Sequence, residues 1–284
     1  MVDDFDELDD WLYDDLEIEF KAFEDEVEAV TVRFRDLGGE AEAEANTRLL
    51  AEYSASVGDG VTEAVLKVVG SPPVRALPPR FFALFLRSRV QPLVERVWGV
   101  VQSLAFRVTS LFLKRSGYLF NAAVVPLPEL RTRGIVGGSL NRFLGSELNE
   151  VEPDFDAGLN VLDSGVRQLI DEPVRSTLIK SSEKVAGVTG TFLDAYRIVT
   201  HGKACDFCRS KAMIKAPLYS NSGVLTGWHD YCRCSLVLVD DFDDGSDLSE
   251  IGVRELTKVE KKSESELHRE WMSTLSDEEF FENF

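Results

Sequence analysis

The chain has 284 residues, enough for one large domain or two ordinary ones, and its apolar share of 44% is normal for a protein that buries a core. Asp and Glu together number 50 against 31 Lys and Arg, so the formal net charge is -19. This charge excludes nucleic-acid affinity that rests on overall charge. It favours a halophilic origin, and an ordinary acidic protein with an acidic tail is the alternative.

The sequence predicts neither secretion nor a membrane span. Its first ten residues, MVDDFDELDD, lack the basic and apolar regions of a signal peptide. The most apolar stretch, from Trp98 to Leu113, is interrupted by Gln102 and Arg107 and is shorter than the roughly 20 apolar residues that a span requires. We therefore expect a protein that is made and kept without secretion.

Helical periodicity dominates the N-terminal part of the chain, which predicts a mainly α fold. Apolar residues recur at helical spacing between carboxylates from Asp3 to Arg35, and this pattern predicts an acidic amphipathic helix that ends at Gly38-Gly39. Further helices are predicted over 40–57 and 61–69. The prolines that follow, at 72, 73, 78 and 79, predict a stiff break.

A locally basic segment comes next. Between Ser71 and Phe120 there are eight cations and one acidic residue, Glu95. The apolar residues of this segment fit one long helix, kinked at Pro92, whose wide apolar face requires a partner. The helix is either a core element paired with the first acidic helix or a surface that contacts a partner protein or DNA. Its candidate partner-binding residues are Arg80, Arg87, Arg89, Arg96 and Arg107.

The second half of the chain is predicted to be irregular from Pro126 to Gly138 and then helical over 140–148, 156–170, 174–186 and 189–199. A short buried strand is predicted over 235–239, followed by an acidic linker and a terminal helix over 250–273. The tail DEEFFENF is either a docking peptide or a frayed end.

All four cysteines lie in two short motifs, Cys205-Asp-Phe-Cys208 and, after 20 intervening positions, His229-Asp-Tyr-Cys232-Arg-Cys234. Zinc prefers four sulfur or nitrogen ligands in a tetrahedron, and each short turn supplies two of them. With no cysteines elsewhere, a metal explains the cluster better than disulfides do. We predict a structural Zn²⁺ whose binding and the folding of the loop are one event.

Five candidates compete for the four zinc positions. Cys205, Cys208 and His229 are favoured, with either Cys232 or Cys234 as the fourth ligand. If Cys232 and Cys234 lie at the start of a strand, their side chains leave on the same face and either one can reach the ion. The sequence does not choose between the last two. The alternative is a group of buried cysteines without metal.

No catalytic constellation accompanies the cysteines. A deaminase-type zinc site would require His-x-Glu ahead of its Cys-x-x-Cys, and the sequence has no G-x-S-x-G, P-loop or G-x-G-x-x-G motif. His268 stands alone on the predicted terminal helix. His201 is interpreted as a solvent-facing residue at a helix end, and the alternatives are a zinc ligand or a neighbour of one. The protein is therefore predicted not to be an enzyme.

The segments from Arg197 to Cys208 and from Trp228 to Ser235 resemble the C-terminal motif of Mu F-like minor head proteins, the head morphogenesis family of tailed viruses. In that family a helical body precedes a C-x2-C knuckle, a variable loop and an H-x2-C-x-C ending that runs into a short apolar strand. The resemblance covers 197–239, with weaker support from 156–200. The Asp230-Tyr231 pair and the strong acidity depart from the family pattern, and the acidity fits a virus of a salt-loving archaeon.

The resemblance implies a structural virion protein present in a few copies around the portal vertex inside the head, and in the host cytoplasm during assembly. Its implied partners are the portal and other head proteins, with packaged DNA as a further candidate. Two alternatives are a cellular zinc-knuckle protein that binds nucleic acid through cations of the module, and an enzyme such as a nuclease or toxin domain.

The sequence predicts five consecutive regions: acidic helical 1–70, basic helical 71–125, helical body 126–202, zinc module 203–240, and linker with C-terminal helix 241–284.

Overall fold

The computed structural model describes residues 8–127, 129–145, 152–200, 206–226, 234–239 and 253–255, together with residue 266. It confirms the mainly α fold and adds a small sheet. The elements are α1 (Asp10–Glu44), α2 (Thr47–Val69), α3 (Pro72–Arg75), α4 (Pro79–Phe85), a π-helical turn (Leu86–Val90), α5 (Gln91–Arg115), α6 (Glu129–Phe143), α7 (Phe155–Thr189), β1 (Asp194–Val199), α8 (Asp206–Lys211), β2 (Ile214–Pro217), β3 (Cys234–Leu238) and β4 (Arg254–Glu255).

The chain divides into two compact units. The first comprises Met1–Asp36, Ser56–Val100 and Pro126–Ile170, and the second comprises Leu37–Ala55, Val101–Val125 and Asp171–Phe284. Each unit therefore combines segments that are far apart in the sequence. The division into five consecutive regions stays a prediction. In the described part of the chain, no helix has both the length and the apolar character needed to cross a membrane.

Helix α1 continues through the glycine pair that was predicted to end it. Gly38 lies so close to Leu104 of α5 that a Cβ at this position would overlap the leucine Cδ2 atom. The glycine therefore permits close helix packing, and the predicted stop was wrong. The actual end is at Glu44, where Ala45 has φ 51° and the Oδ1 atom of Asn46 accepts hydrogen bonds from the first turn of α2.

Helix α2 is continuous from Thr47 to Val69, so the two helices predicted over 40–57 and 61–69 were wrong. Gly60 again serves packing, since a Cβ there would lie 3.0 Å from the Cγ2 atom of Val30. The predicted proline break is confirmed. Pro72 and Pro79 occupy the first turns of α3 and α4, where a missing N–H is tolerated.

The long basic helix is present as α4, the π-helical turn and α5 in direct succession. The π-helical turn ends two residues before Pro92, which is where the sequence predicts a kink. In the first unit this helix packs on acidic α1. The Phe85 ring meets the Phe20 ring edge-on, with centroids 6.1 Å apart, and Arg89 donates a hydrogen bond to Glu17 at 2.9 Å.

Helices α6 and α7 are longer than predicted. Helix α6 begins at Glu129 within the stretch predicted to be irregular, and α7 passes through Pro173 as one helix where two were predicted. Gly158 and Gly165 of α7 lie directly against Phe143 and Ile135 of α6. Small residues at these points let the two helices approach closely, so the glycines again mark a contact between helices.

The helix predicted over 189–199 was wrong. Helix α7 ends at Thr189, Gly190 has φ 78°, and Asp194–Val199 forms strand β1. A short apolar run is compatible with either a helix or a strand. Here the pairing with neighbouring strands makes this run a strand. The sheet order is β3-β1-β2-β4, with β1 antiparallel to β2 and β3 and with β2 parallel to β4.

The strand predicted over 235–239 is confirmed as β3, and all five of its residues are buried. It lies at the edge of the sheet, yet its outer side is covered. The Leu238 N–H donates to the Oγ1 atom of Thr47 at 3.0 Å, and the Cys234 carbonyl accepts from the Nε atom of Arg175 at 2.9 Å. Helices α2 and α7 thereby satisfy backbone groups that an open edge would leave unpaired.

Beyond residue 239 the structure describes only residues 253–255 and residue 266. Residues Arg254–Glu255 form strand β4. The helix predicted over 250–273 was therefore wrong at these two residues. The acidic linker, the remainder of the predicted helix apart from residue 266, and the tail lie outside the described residues.

Candidate metal centre

Strand β1 carries two faces with different neighbours. On one face, Tyr196 and Ile198 pack with Val237 of β3 and Ala51 of α2 in an apolar cluster. On the opposite face, Val199 packs against Cys208 and Cys234. Because side chains alternate along a strand, the cysteine face is separated by the sheet from the face that contacts α2.

The final cysteines of the two knuckles meet in this structure. Cys208 lies in the short helix α8 and is 2% exposed, and Cys234 begins β3 opposite Val199 and is 1% exposed. Both side chains belong to one buried cluster. The fold thus brings together one sulfur ligand from each half of the predicted zinc motif, although 25 residues separate them in the sequence.

The remaining candidates, Cys205, His229 and Cys232, lie outside the described residues. In the described part of the chain, no three potential ligands come together. The two thiols that are described fit zinc by their donor chemistry, since thiolates are preferred ligands of structural zinc sites. Cys234 is the first residue of β3, one residue before the predicted start of the strand. The choice between Cys232 and Cys234 as the fourth ligand stays open.

A buried arginine that sequence reasoning missed holds the loop between the knuckles. Arg197 of β1 is fully buried, and its Nη2 atom donates to the Leu225 carbonyl at 2.6 Å. Its own carbonyl accepts from the Met213 N–H at 2.8 Å. A guanidinium bound to a backbone carbonyl is a strong, oriented contact when water is excluded. The signal in the sequence was a single cation within the apolar run Ala-Tyr-Arg-Ile-Val.

A second buried arginine joins the motif to helix α7. Arg175 is 6% exposed and lies 3.2 Å from the Asp171 carboxylate while it also binds the Cys234 carbonyl. The Oδ1 atom of Asp171 accepts from the Oγ atom of Ser54 at 3.4 Å. The start of β3 is therefore attached to the helices by a buried ion pair. The i, i+4 spacing of Asp171 and Arg175 was visible in the sequence, but its burial was not.

Burial also affects a titratable group on the other face of β1. The pKa of Tyr196 is raised, chiefly because its phenolate would lose solvation in the core. Neighbouring Arg48 lowers the pKa and offsets part of that effect. The neutral phenol is therefore the form that the folded protein favours.

The predicted partner-binding arginines have different environments. Arg89 is partly buried and bound to Glu17 at 2.9 Å, and its guanidinium lies 4.8 Å from the centroid of the Phe20 ring. Arg107 is 57% exposed and lies 3.4 Å from Glu42. Both arginines thus pair with carboxylates of α1. The other three candidates are exposed and remain accessible to a partner: Arg80, Arg87 and Arg96.

Comparison of the chain with protein-family models, with curated proteins and with solved structures finds no match. The fold and the site define a mainly α protein whose small sheet buries a pair of thiols from two separate knuckles.

Proposed function

We propose that the protein is a structural minor head protein of a tailed virus of a salt-loving archaeon. In this role it associates with the portal vertex inside the head and acts in head assembly, DNA packaging or genome delivery. A structural zinc ion holds its C-terminal module together. The ligands are Cys205, Cys208 and His229 with one of Cys232 and Cys234.

One observation carries the proposal: Cys208 and Cys234 lie in the same buried cluster. A shared zinc ion would require the two knuckles to lie side by side, and the last cysteine of each does so. The described elements also occur in the order that the resemblance implies, with a long helix α7, the first knuckle at α8, an intervening loop and the apolar strand β3. Zinc would cross-link these parts and contribute no catalytic step.

The portal or another head protein would contact the exposed arginines of the basic helix. Arg80, Arg87 and Arg96 present cations on a chain whose net charge is strongly negative. Local positive charge favours an acidic surface on the partner and orients the two proteins on encounter.

The nucleic-acid-binding alternative has weaker support. It depends on cations of the module, and one of them, Lys215, has its Nζ atom 3.4 Å from the Asp194 carboxylate. That neighbour reduces the positive charge available to phosphates. Binding through the module would weaken steeply with added salt, which distinguishes it from a structural role.

Two measurements test the proposal. The purified chain should contain one zinc ion, measured by elemental mass spectrometry. The protein should also copurify with heads and portal, measured by mass spectrometry of mature and immature particles. Absence from both kinds of particle would overturn the viral role, and a metal-free chain with its module folded would overturn the zinc centre. Zinc binding without particle association would favour the cellular alternative.

A further inference from the structure

An exposed stripe of apolar residues and aspartates follows the outer face of α1. Trp11, Ile18 and Val32 are 62%, 66% and 43% exposed, and their positions differ by multiples of seven. Exposed Ala22 and Ala29 lie between them. When the aspartates on the same face are included, successive members of the stripe lie alternately four and three residues apart. We call this set the outer stripe: Trp11, Asp15, Ile18, Ala22, Asp25, Ala29, Val32 and Asp36.

The outer stripe lies on the side of the helix opposite its core face. Leu16, Phe23 and Val27 are buried in the first unit, and a rotation of about 100° per residue places the stripe roughly across the helix from them. A seam with a repeat of 3.5 residues is the pattern by which helices pair in coiled coils. Of the large apolar side chains that are exposed in the described residues, three lie on this one stripe.

The charges beside the stripe indicate what covers it. Exposed Asp14, Lys21, Glu28 and Arg35 repeat every seven residues along one flank. If a second α1 lies antiparallel on the first, Asp14 faces Arg35 of the second copy and Lys21 faces Glu28 of the second copy. The two-fold symmetry repeats both pairs. All four contacts on this flank are attractive.

The carboxylates within the stripe disfavour the parallel arrangement. If the two helices were parallel and in register, each aspartate of the stripe would face the same aspartate of the second copy across the seam. This concerns Asp15, Asp25 and Asp36. The antiparallel arrangement places Val32 opposite Asp15 and Ala22 opposite Asp25. It thereby removes three like-charge contacts, which would weigh against pairing.

The remaining flank contains one kind of repulsive contact, Glu19 with Glu26 of the second copy, which the two-fold symmetry makes twice. Its effect is reduced because Glu26 already lies 3.1 Å from Lys67 within the chain. The existing contact of Lys21 with Asp25 involves side chains that are 68% and 67% exposed, so little stability is lost when Lys21 turns to a new partner.

We propose that the outer stripe binds the outer stripe of a second copy of this chain, antiparallel and with two-fold symmetry. The apolar residues supply the affinity, and the flanking charges set the orientation. This inference is independent of the zinc centre, so its failure would leave the proposed function standing.

The first test is the oligomeric state, measured by sedimentation velocity over a range of concentrations at the lowest salt that preserves the helical circular dichroism. The wild type should dimerise, and Ile18→Asp should raise the dimer dissociation constant by about tenfold or more, because it replaces one of the large apolar side chains of the seam with a further carboxylate. Val188→Asp is a matched control, since Val188 is also 66% exposed but lies on α7. A monomeric wild type, or an equal effect of both variants, would overturn the proposal.

The second test is a charge exchange. Lys21→Glu and Glu28→Lys should each weaken the dimer, and the double variant should restore it to near the wild-type dissociation constant. Contacts within one helix cannot explain such a rescue, because Glu at 21 still meets Asp25 and Lys at 28 still meets Arg35 in the double variant. Absence of rescue would contradict the antiparallel pairing.

The third test reports the direction of the helices. A mixture of Ala22→Cys and Asp25→Cys chains should form disulfides between chains faster than Ala22→Cys chains alone, with the wild type as background for the native thiols. Preferential linkage of Ala22→Cys to itself would indicate parallel helices and overturn the proposed arrangement.

Discussion

The Nε atom of Arg175 donates a hydrogen bond to the carbonyl of Cys234 at 2.9 Å, in a buried position where α7 meets the first residue of β3. The same guanidinium is paired with Asp171 one turn earlier on α7. One side chain thus attaches the last candidate zinc ligand to the helices of its unit. Loss of one partner should cost more than loss of one partner of a surface ion pair, because the remaining charge would be left buried without its counter-ion.

Replacement of Arg175 by Met should lower the free energy of unfolding by about 3–5 kcal/mol, because Asp171 is left charged and buried without its cation. Chemical denaturation followed by circular dichroism measures the change. Lys67→Ala is the control, since the Lys67–Glu26 pair is 66% and 36% exposed and its loss should change stability by roughly 0–1 kcal/mol. Similar small effects of both variants would show that the buried pair does not hold β3.

Replacement of Cys208 by Ser should reduce the zinc content from one ion per chain to nearly none and expose residues 203–240 to protease. The helices α1 to α7 should remain resistant. Elemental analysis and limited proteolysis measure the two effects, and treatment of the wild type with a strong chelator should reproduce them. Met213→Leu, a change of similar volume in the neighbouring segment, should retain the metal. Full zinc occupancy in the serine variant would remove Cys208 from the ligand set.

Adjacent glycines of α1 should respond oppositely to alanine. Gly38→Ala should destabilise the protein by about 1–3 kcal/mol, because the new Cβ overlaps Leu104. A Cβ at Gly39 would meet no atom of a neighbouring described element within 4 Å, so Gly39→Ala should stabilise the helix by roughly 0.5–1 kcal/mol. Thermal and chemical unfolding of both variants provide the comparison, and equal effects would contradict the close packing of α1 on α5.

Tyr196 should make stability fall at alkaline pH. Its folded-state pKa is raised, so its contribution is present below the unfolded pKa of about 10 and is lost as the pH rises through the folded pKa. Tyr196→Phe should flatten this decline. Denaturation midpoints between neutral and alkaline pH give the profile, and difference absorbance against the wild type gives the titration of this phenol. An unchanged alkaline profile would show that Tyr196 ionises as readily in the folded protein as in the unfolded chain.

The sequence by itself determined the mainly α class and the apolar faces of the long helices. Amphipathic periodicity is a local property, so Phe20 and Phe85 could each be assigned to a buried face before their partner was known. The spacing of the cysteines likewise predicted that two knuckles converge, and the described pair, Cys208 and Cys234, lies together. The zinc ion itself stays a prediction.

Tertiary structure alone decided the rest. Gly38 looked like a helix stop because glycine has low helix propensity, and only the approach of Leu104 shows why it lies within a helix. Residues 194–199 form a strand because β2 and β3 pair with them. The stabilisation comes from contacts between segments, so the sequence of one segment does not reveal it. Arg175 and Arg197 could not be predicted as site residues for the same reason. A cation is stable in a core only where carbonyl or carboxylate groups bind it, and here the carbonyls that bind the two arginines come from distant parts of the sequence. Only the folded chain brings these groups together.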